Sequence, residues 1–287
     1  MLSAISLIAR ALAKQRVTRL MPVANFSSSN SSYDGNDSST FNQNEIDKFK
    51  AMSNDWWNPN GVCKPLHSMN RLRIPFIRDG LINSGIADPK LAYSDKPLKG
   101  MKILDVGCGA GIISEALARI GAEVTAIDAC QENIDVARNH ANLDKQLQNN
   151  LNYICTTVEE HVGNNIATYD AVVASEVIEH VDNPSTFIDK CSTAVKVDGS
   201  IFLTTINKST RSWMFAIIAA ENILGLLPKG THEWDKFISP SDLEDMLSVS
   251  GCQTRLVHGM LYLPVLNKWS WIPDVSVNYA LHAIKVQ

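Results

Sequence analysis

The features that this sequence lacks narrow its class before any motif is considered. Its six cysteines include no Cys-x-x-Cys pair and fall mostly in apolar segments, so we expect reduced, buried thiols rather than a disulfide framework. No stretch approaches the roughly 18 apolar residues of a membrane-spanning helix, which predicts a soluble or peripheral protein. The net charge of −4 leaves no basic face for neutralising phosphates, and this argues against a nucleic acid as partner.

The N-terminal forty residues differ from the rest because positive charges occur there before any acid. Basic residues are interleaved with apolar ones, namely Arg10, Lys14, Arg16 and Arg19 with Leu2, Ile5, Leu7, Ile8 and Leu12. This spacing suits an amphipathic helix and is typical of a mitochondrial presequence. A Ser/Asn-rich stretch over residues 26–40 predicts a disordered linker. We therefore expect a presequence and linker over residues 1–40, and import into mitochondria.

The clearest motif is a glycine-rich loop between two predicted strands. Residues 102–111 read Lys-Ile-Leu-Asp-Val-Gly-Cys-Gly-Ala-Gly, and the next strand closes at Asp128. Gly107, Gly109 and Gly111 let the backbone approach a ligand at the carboxyl end of the first strand, as in half of a Rossmann-like unit. Only one residue separates Gly109 from Gly111, whereas a dinucleotide fingerprint has two. The spacing favours S-adenosylmethionine, whose ribose hydroxyls would bind Asp128.

Helices and strands continue to alternate after the loop. We predict helices over residues 131–144 and 184–195, and strands over residues 151–155, 170–174, 200–206 and 279–286. Such a series predicts an α/β fold with a parallel sheet and helices on both faces. The last strand alternates in the manner of an edge strand. The length and a hydrophobic content of 45% fit one core domain, over residues 41–287.

A second group of chemically active residues follows the predicted strand over residues 170–174, where ligands of open α/β sheets bind. Glu176 lies three and four residues before Glu179 and His180, so one helical turn would bring two carboxylates and an imidazole together. The oxygens suit magnesium or manganese, and the imidazole favours manganese, zinc or iron. The same pattern also fits a helix N-terminus with acids that complement its dipole and a structural histidine.

A third motif makes a family resemblance specific. Residues 55–73 read Asp-Trp-Trp-Asn-Pro-Asn-Gly-Val-Cys-Lys-Pro-Leu-His-Ser-Met-Asn-Arg-Leu-Arg. The Trp-Trp pair, Lys-Pro-Leu-His and Asn-x-Leu-Arg resemble the ubiquinone-biosynthesis O-methyltransferases, bacterial and mitochondrial. The resemblance runs from about Phe49 to the C-terminus and includes Thr205-Ile-Asn207, Ser212-Trp213 and residues 228–238. The glycine loop also resembles the first motif of class I methyltransferases, which implies a Rossmann-like, mostly parallel sheet with an antiparallel last strand.

The resemblance implies methyl transfer from S-adenosylmethionine to a phenolic oxygen of a polyprenylated catechol, at two steps of ubiquinone synthesis. A 3,4-dihydroxy-5-polyprenylbenzoate and a demethylubiquinol would be the substrates. Carried over by position, the cofactor contacts are Arg73, Gly107, Asp128 and Ser175, to which the glycine loop adds Gly109; Arg73 would pair with the methionine carboxylate. The family also implies peripheral association with the matrix face of the inner mitochondrial membrane and a complex with other ubiquinone-biosynthesis proteins.

The resemblance further assigns Glu176, Glu179 and His180 to a divalent cation, expected to be magnesium, and to catalysis. A catechol hydroxyl is mostly protonated at neutral pH and is then a poor nucleophile. A cation on these three residues would lower its pKa and orient it. In a metal-free site, Glu179 or His180 would act as general base instead.

Two segments around the predicted site have more than one interpretation. In an N-terminal lid over about residues 45–80, Trp56 and Trp57 are packing anchors or substrate stackers, and His67, like His232 further on, is structural. An apolar insertion over about residues 208–238 contains the stretch 212–227, which either lies in the membrane interface or forms a lid helix. Near the C-terminus, Trp269, Trp271 and Ile272 either extend this apolar rim or cover the sheet edge.

Other classes of function are weighed against this one. A methyltransferase of small soluble phenols or carbon acids would use the same fold. A non-catalytic cofactor- or lipid-binding scaffold would not need the glycine loop, Asp128 and the acidic group all intact. A nicotinamide dehydrogenase is disfavoured by the glycine spacing.

Overall fold

The computed structural model describes residues 55–207 and 237–287, which form six α-helices and eight β-strands. The helices are α1 (Lys64–Asn83), α2 (Ile112–Arg119), α3 (Gln131–Ala141), α4 (Val158–Val162), α5 (Pro184–Ala194) and α6 (Pro240–Val249). The strands are β1 (Lys102–Val106), β2 (Glu123–Asp128), β3 (Leu151–Cys155), β4 (Tyr169–Ser175), β5 (Val195–Ile206), β6 (Cys252–Leu263), β7 (Lys268–Ile272) and β8 (Asn278–Lys285).

All eight strands form one sheet in the order β3-β2-β1-β4-β5-β8-β6-β7. The first five are parallel to one another, whereas β8, β6 and β7 pair antiparallel. This confirms the predicted α/β class, the mostly parallel sheet and the antiparallel last strand. The parallel strands place their carboxyl ends, and hence the glycine loop and Ser175, along the same edge of the sheet.

One prediction about the sheet is wrong, because the last strand is not at its edge. β8 lies between β5 and β6, and the hairpin of β6 and β7 forms the edge instead. Tyr279, Leu281 and Ala283 are fully buried, as an internal strand requires. The alternation over residues 279–286 does not distinguish the two positions, since only the pairing partners of β8 do so.

Helices cover both faces of the sheet, and consecutive residues of a strand serve opposite faces. Ile103 packs with the side chains of α1, α2 and α3, whereas Leu104 packs with those of α4, α5 and α6. Because β1 is buried on both sides, its apolar run is continuous apart from Asp105. The two cores therefore fix β1 and β4 rigidly beneath the loops that follow them.

Helix α1 crosses the sheet at a close approach between Gly80 and β5. A Cβ atom on Gly80 would lie 2.6 Å from the Phe202 ring, which stacks on His282 with ring centroids 4.4 Å apart. His282 contacts the Ser200 hydroxyl at 2.8 Å, and burial lowers its pKa to about 4. This contact positions α1 so that its middle, at Arg73, reaches the carboxyl edge of the sheet.

Several predictions fall outside the described ranges. These are the presequence and linker over residues 1–40, the beginning of the lid before residue 55, most of the apolar insertion with residues 212–227, and His232. The domain limits at residues 40 and 41 accordingly stay predictions. Among the helices that the structure describes, none has the length and apolar composition to cross a membrane. All six cysteines are free, four buried and two partly exposed, which agrees with the expectation of reduced thiols.

Candidate functional site

The glycine loop turns sharply between β1 and α2, and its three glycines all have left-handed backbones. The φ angles are +66° at Gly107, +53° at Gly109 and +86° at Gly111. A Cβ atom would lie 2.5 Å from Val177 at Gly107 and 2.9 Å from Trp56 at Gly109. Both the backbone conformation and the close packing of Val177 and Trp56 therefore require glycine at these positions.

Asp128 is the last residue of β2 and stabilises this loop through hydrogen bonds. Its carboxylate accepts hydrogen bonds from the backbone N–H of Gly109 at 2.8 Å and of Cys130 at 2.9 Å. Burial raises the pKa of Asp128, while these two N–H groups and the Asn133 amide favour its charged form. Asp128, which is predicted to bind the ribose hydroxyls, thus also stabilises the conformation of the loop. The sequence did not indicate this second role.

The tryptophan pair packs against the glycine loop. Trp56 donates a hydrogen bond through Nε1 to Asn133 Oδ1 at 3.1 Å, and Trp57 donates one to the Ala110 carbonyl at 3.0 Å. Trp57 also stacks on His140 with ring centroids 3.4 Å apart. These contacts fit the packing-anchor interpretation of both tryptophans. His67 donates to the Trp56 carbonyl at 2.7 Å, which fits its structural assignment.

Arg73 is a buried cation beside the loop. Its guanidinium donates to Ser175 Oγ at 2.9 Å, to the Leu66 carbonyl at 2.7 Å and to Asn70 Oδ1 at 2.6 Å. Burial lowers its pKa to about 10, while Glu176 and Asp105 partly counteract that shift. Within residues 55–207 and 237–287, no carboxylate forms an ion pair with Arg73. A buried cation held only by neutral acceptors is the kind of group that binds an anionic ligand.

Hydrogen bonds connect Arg73 to Glu176 through two hydroxyl groups. Thr204 Oγ1 donates to Glu176 Oε1 at 2.7 Å and lies 2.6 Å from Ser175 Oγ. While Glu176 is ionised, the single proton of Thr204 is used on Glu176, so Ser175 donates to Thr204 while it accepts from Arg73. The result is a directed relay of Arg73, Ser175, Thr204 and Glu176. Thr204 was not among the predicted site residues, although a threonine pair at the carboxyl end of a predicted strand was a usable signal.

Glu176 is the acid whose ionisation the site alters most clearly. Burial, followed by the charge of Glu179, raises its pKa to about 7. The Thr204 hydrogen bond, Arg73 and His180 act in the opposite direction. Glu179 itself is buried and accepts a hydrogen bond from Thr205 Oγ1 at 2.8 Å. Glu176 is only partly buried, so it is the carboxylate of the two that can meet a substrate.

The helical turn assumed for Glu176, Glu179 and His180 does not form, and that prediction is wrong. The local structure is a short 3₁₀ turn over Ile178–His180, and Glu176 stands outside it with a φ of +58°. The three side chains remain electrostatic neighbours. In the part of the chain that the structure describes, however, no three acidic, histidine or cysteine side chains are arranged to hold a metal ion. Donor types therefore fit a divalent cation, but their arrangement does not.

The comparisons with known proteins agree with this arrangement of loop and sheet. A family model for a methyltransferase domain matches residues 80–257. The mitochondrial ubiquinone biosynthesis O-methyltransferase of Bos taurus is 47% identical over 246 residues, which cover 86% of this chain and 65% of the relative. The chain thus spans slightly less than two thirds of that relative's length.

A bacterial relative is matched along almost its whole length. The ubiquinone biosynthesis O-methyltransferase of Pelagibacter ubique is 39% identical over 246 residues, covering 86% of this chain and 99% of the relative. Among solved structures, magnesium protoporphyrin IX methyltransferase from Synechocystis PCC 6803 with bound SAH superposes with a TM-score of 0.57 at 19% identity. This superposition covers 85% of this chain and 96% of that structure, and it supports the fold.

The surroundings of Glu176 make its ionisation testable without any ligand. Glu179→Gln removes a like charge and should lower the pKa of Glu176 by about one pH unit, whereas Thr204→Val removes a hydrogen bond to the charged form and should raise it. Carboxyl ¹³C NMR of glutamate-labelled protein measures both shifts. Glu123→Gln, an exposed site at the start of β2, is the control that should change nothing. Equal titration in all four proteins would disprove the relay.

Proposed function

The chain belongs to the ubiquinone biosynthesis O-methyltransferase family, and we propose that it transfers the methyl group of S-adenosylmethionine to a hydroxyl oxygen of a polyprenylated catechol. The proposed acceptors are a 3,4-dihydroxy-5-polyprenylbenzoate and a demethylubiquinol. The names of the bovine and bacterial relatives support both the reaction and the pathway. The mitochondrial relatives, together with the basic N-terminal segment, support a location in mitochondria.

The observation that carries the proposal is the buried Arg73 beside the glycine loop. The three glycines hold the left-handed turn, and Arg73 offers a positive charge whose hydrogen-bond acceptors among the described residues are all neutral. S-adenosylmethionine carries a carboxylate for Arg73 and ribose hydroxyls for Asp128. When bound, it supplies a methyl group activated by a sulfonium charge. Gly107, Gly109 and Ser175 would complete its site.

Glu176 is the group best suited to accept the proton of the catechol hydroxyl. Its pKa of about 7 means that, near neutral pH, it is partly ionised and still basic enough to take a proton. As the hydroxyl oxygen forms its bond to the methyl carbon and the carbon–sulfur bond breaks, the hydroxyl proton passes to the Glu176 carboxylate. This assignment differs from the expectation of Glu179 as base, because Glu179 is buried whereas Glu176 is partly exposed. His180, the other expected base, stays a prediction.

The relay couples this base to the cofactor site. Arg73 holds Ser175, Ser175 orients Thr204, and Thr204 fixes one oxygen of Glu176. Trp56 packs against Gly109 and Trp57 donates to the Ala110 carbonyl, so both tryptophans hold the lid on the glycine loop.

A divalent cation at Glu176, Glu179 and His180 remains a separate proposal. Carboxylate oxygens suit magnesium, and two neighbouring acids would gain from a shared cation. The described residues do not form a three-ligand group, so no step above depends on the cation. Peripheral contact with the matrix face of the inner membrane and assembly with other ubiquinone-biosynthesis proteins likewise remain proposals that rest on the family.

Methyl transfer from labelled S-adenosylmethionine to a short-prenyl dihydroxybenzoate tests the reaction and its base together. Below pH 7 we expect kcat/KM to fall about tenfold per pH unit as Glu176 is protonated. Glu176→Gln should lower the rate by about 10²- to 10⁴-fold at pH 7. The rate of this variant should recover at higher pH, where the catechol itself is ionised. Glu123→Gln should match the unmodified protein. Glu176→Gln with normal rate and pH profile would refute the assignment, and a prenyl-independent rate would favour small soluble phenols.

Binding of two cofactor analogues isolates the role of Arg73. Arg73→Gln should weaken S-adenosylhomocysteine by at least about thirtyfold, since it removes the buried partner of a carboxylate. The affinity of the Arg73→Gln variant for methylthioadenosine, which lacks the amino-acid part, should stay unchanged. Arg71→Gln, on the exposed side of α1, is the matched control. Isothermal titration calorimetry measures all six affinities. Equal weakening of both analogues in Arg73→Gln would mean general damage rather than a lost carboxylate contact.

Manganese binding and chelation test the cation. One Mn²⁺ detected by EPR in the unmodified protein and none in a Glu176→Gln/Glu179→Gln double variant would support a cation at this site, as would methyl transfer that stops in EDTA and resumes with magnesium. Glu159→Gln/Glu160→Gln provides a paired-acid control in α4. Full activity in EDTA together with unchanged Mn²⁺ binding in the double variant would remove the cation from this site.

A further inference from the structure

The hairpin of β6 and β7 ends in an exposed apolar tip. Leu263 ends β6, and Pro264, Val265 and Leu266 follow it in the turn before β7; Val265 and Leu266 are 97% and 67% exposed. Leu261, on the same face of β6 as Leu263, is also exposed. Single exposed apolar residues are ordinary, but a contiguous group at a protruding turn indicates a surface that meets an apolar phase or a partner.

This tip is fixed to the helix that forms the candidate site. Asn267 accepts hydrogen bonds from Ser68 on α1 at 3.0 Å and from Tyr262 at 2.9 Å. Trp269 of β7 donates through Nε1 to the Pro65 carbonyl at 3.0 Å. Two turns further along α1, Arg73 contacts Ser175. The tip is therefore anchored to the same helix that carries Arg73.

Two positive charges lie at the base of the tip. Lys64 and Lys268 are exposed beside the contact between Pro65 and Trp269. In a chain whose net charge is −4, this local pair of positive charges is complementary to an anionic surface.

We propose that the β6–β7 tip inserts into the interface of an anionic lipid bilayer, with Lys64 and Lys268 at the headgroups. An apolar protrusion with basic residues at its base matches the layering of a membrane surface, in which headgroup charge overlies hydrocarbon. The inference rests on the proposed function only for the role of this contact. Docking next to the site would let a polyprenylated acceptor enter without leaving the membrane. Insertion itself requires only the tip and its charges.

Vesicle partitioning of the full chain tests the apolar part of this contact. Val265→Asp/Leu266→Asp should lower the partition coefficient at least tenfold on both phosphatidylcholine vesicles and vesicles with added phosphatidylglycerol. The matched control is Val249→Asp/Leu143→Asp, which places the same charges at residues 90% and 81% exposed elsewhere. Because variants of one chain are compared, contributions from its other segments cancel.

The contribution of the two lysines should depend on the charge of the vesicles. Lys64→Gln/Lys268→Gln should lower partitioning about fivefold per lysine on the anionic vesicles and leave neutral vesicles unaffected. Lys90→Gln/Lys145→Gln, at two exposed lysines away from the hairpin, is the control. A loss of the same size on both vesicle types, or in the control pair, would contradict a headgroup contact.

Two further measurements separate the remaining outcomes. Methyl transfer to a tail-less catechol should be equal in the unmodified protein and Val265→Asp/Leu266→Asp, so a failure of the proposed reaction is distinct from a failure of docking. If the aspartate pair left vesicle binding unchanged but dissociated a self-association seen by sedimentation velocity, the tip would be a protein contact. Either that result, or a loss no greater than in Val249→Asp/Leu143→Asp, would overturn the proposal.

Discussion

The buried charge of Arg73 is the constraint on which the rest of the site depends. Burial lowers its pKa to about 10, and its hydrogen-bond partners within the described ranges are all neutral. While Glu176 is ionised, Thr204 donates to it, and Ser175 accepts from Arg73 and donates to Thr204. A continuous series of hydrogen bonds therefore joins Arg73 at the cofactor site to Glu176.

Helix α1 contacts the β6–β7 hairpin, the lid, the candidate site and the sheet. Near its start, Ser68 and the Pro65 carbonyl fasten the β6–β7 hairpin, and His67 fastens the lid through the Trp56 carbonyl. Arg73 at its middle enters the site, and Gly80 near its end seats the helix on Phe202. Since one rigid helix makes all of these contacts, the positions of lid, base and hairpin are coupled through packing rather than through a flexible linker.

The sequence predicted the parallel half of the sheet better than the antiparallel half, for a physical reason. Strands such as β1 and β3 are short apolar runs between turn signals, and their limits follow from local pattern. The place of β8 depends on which strands pair with it, and β6 carries polar residues that hide its periodicity. In the site, the family resemblance assigned Arg73 and Ser175, and spacing singled out Glu176. The threonine pair at the end of a predicted strand was a signal for Thr204, but its contact with Glu176 depends on the pairing of β4 with β5.

The local backbone at Glu176 shows why a helical turn was the wrong expectation. Parallel pairing continues to the end of β4, where the Glu176 N–H donates to the Thr204 carbonyl at 2.8 Å. To keep that bond while the chain turns away, Glu176 adopts a φ of +58°, a conformation that disfavours non-glycine residues. The ionised carboxylate adds a second cost, since burial and the charge of Glu179 raise its pKa to about 7. The free energy of unfolding therefore decreases as the pH rises from the ordinary carboxyl pKa to about 7, and the full cost is present where the base is active. The fold thus tolerates two unfavourable terms at one residue, and both serve to present a proton acceptor at the edge of the sheet.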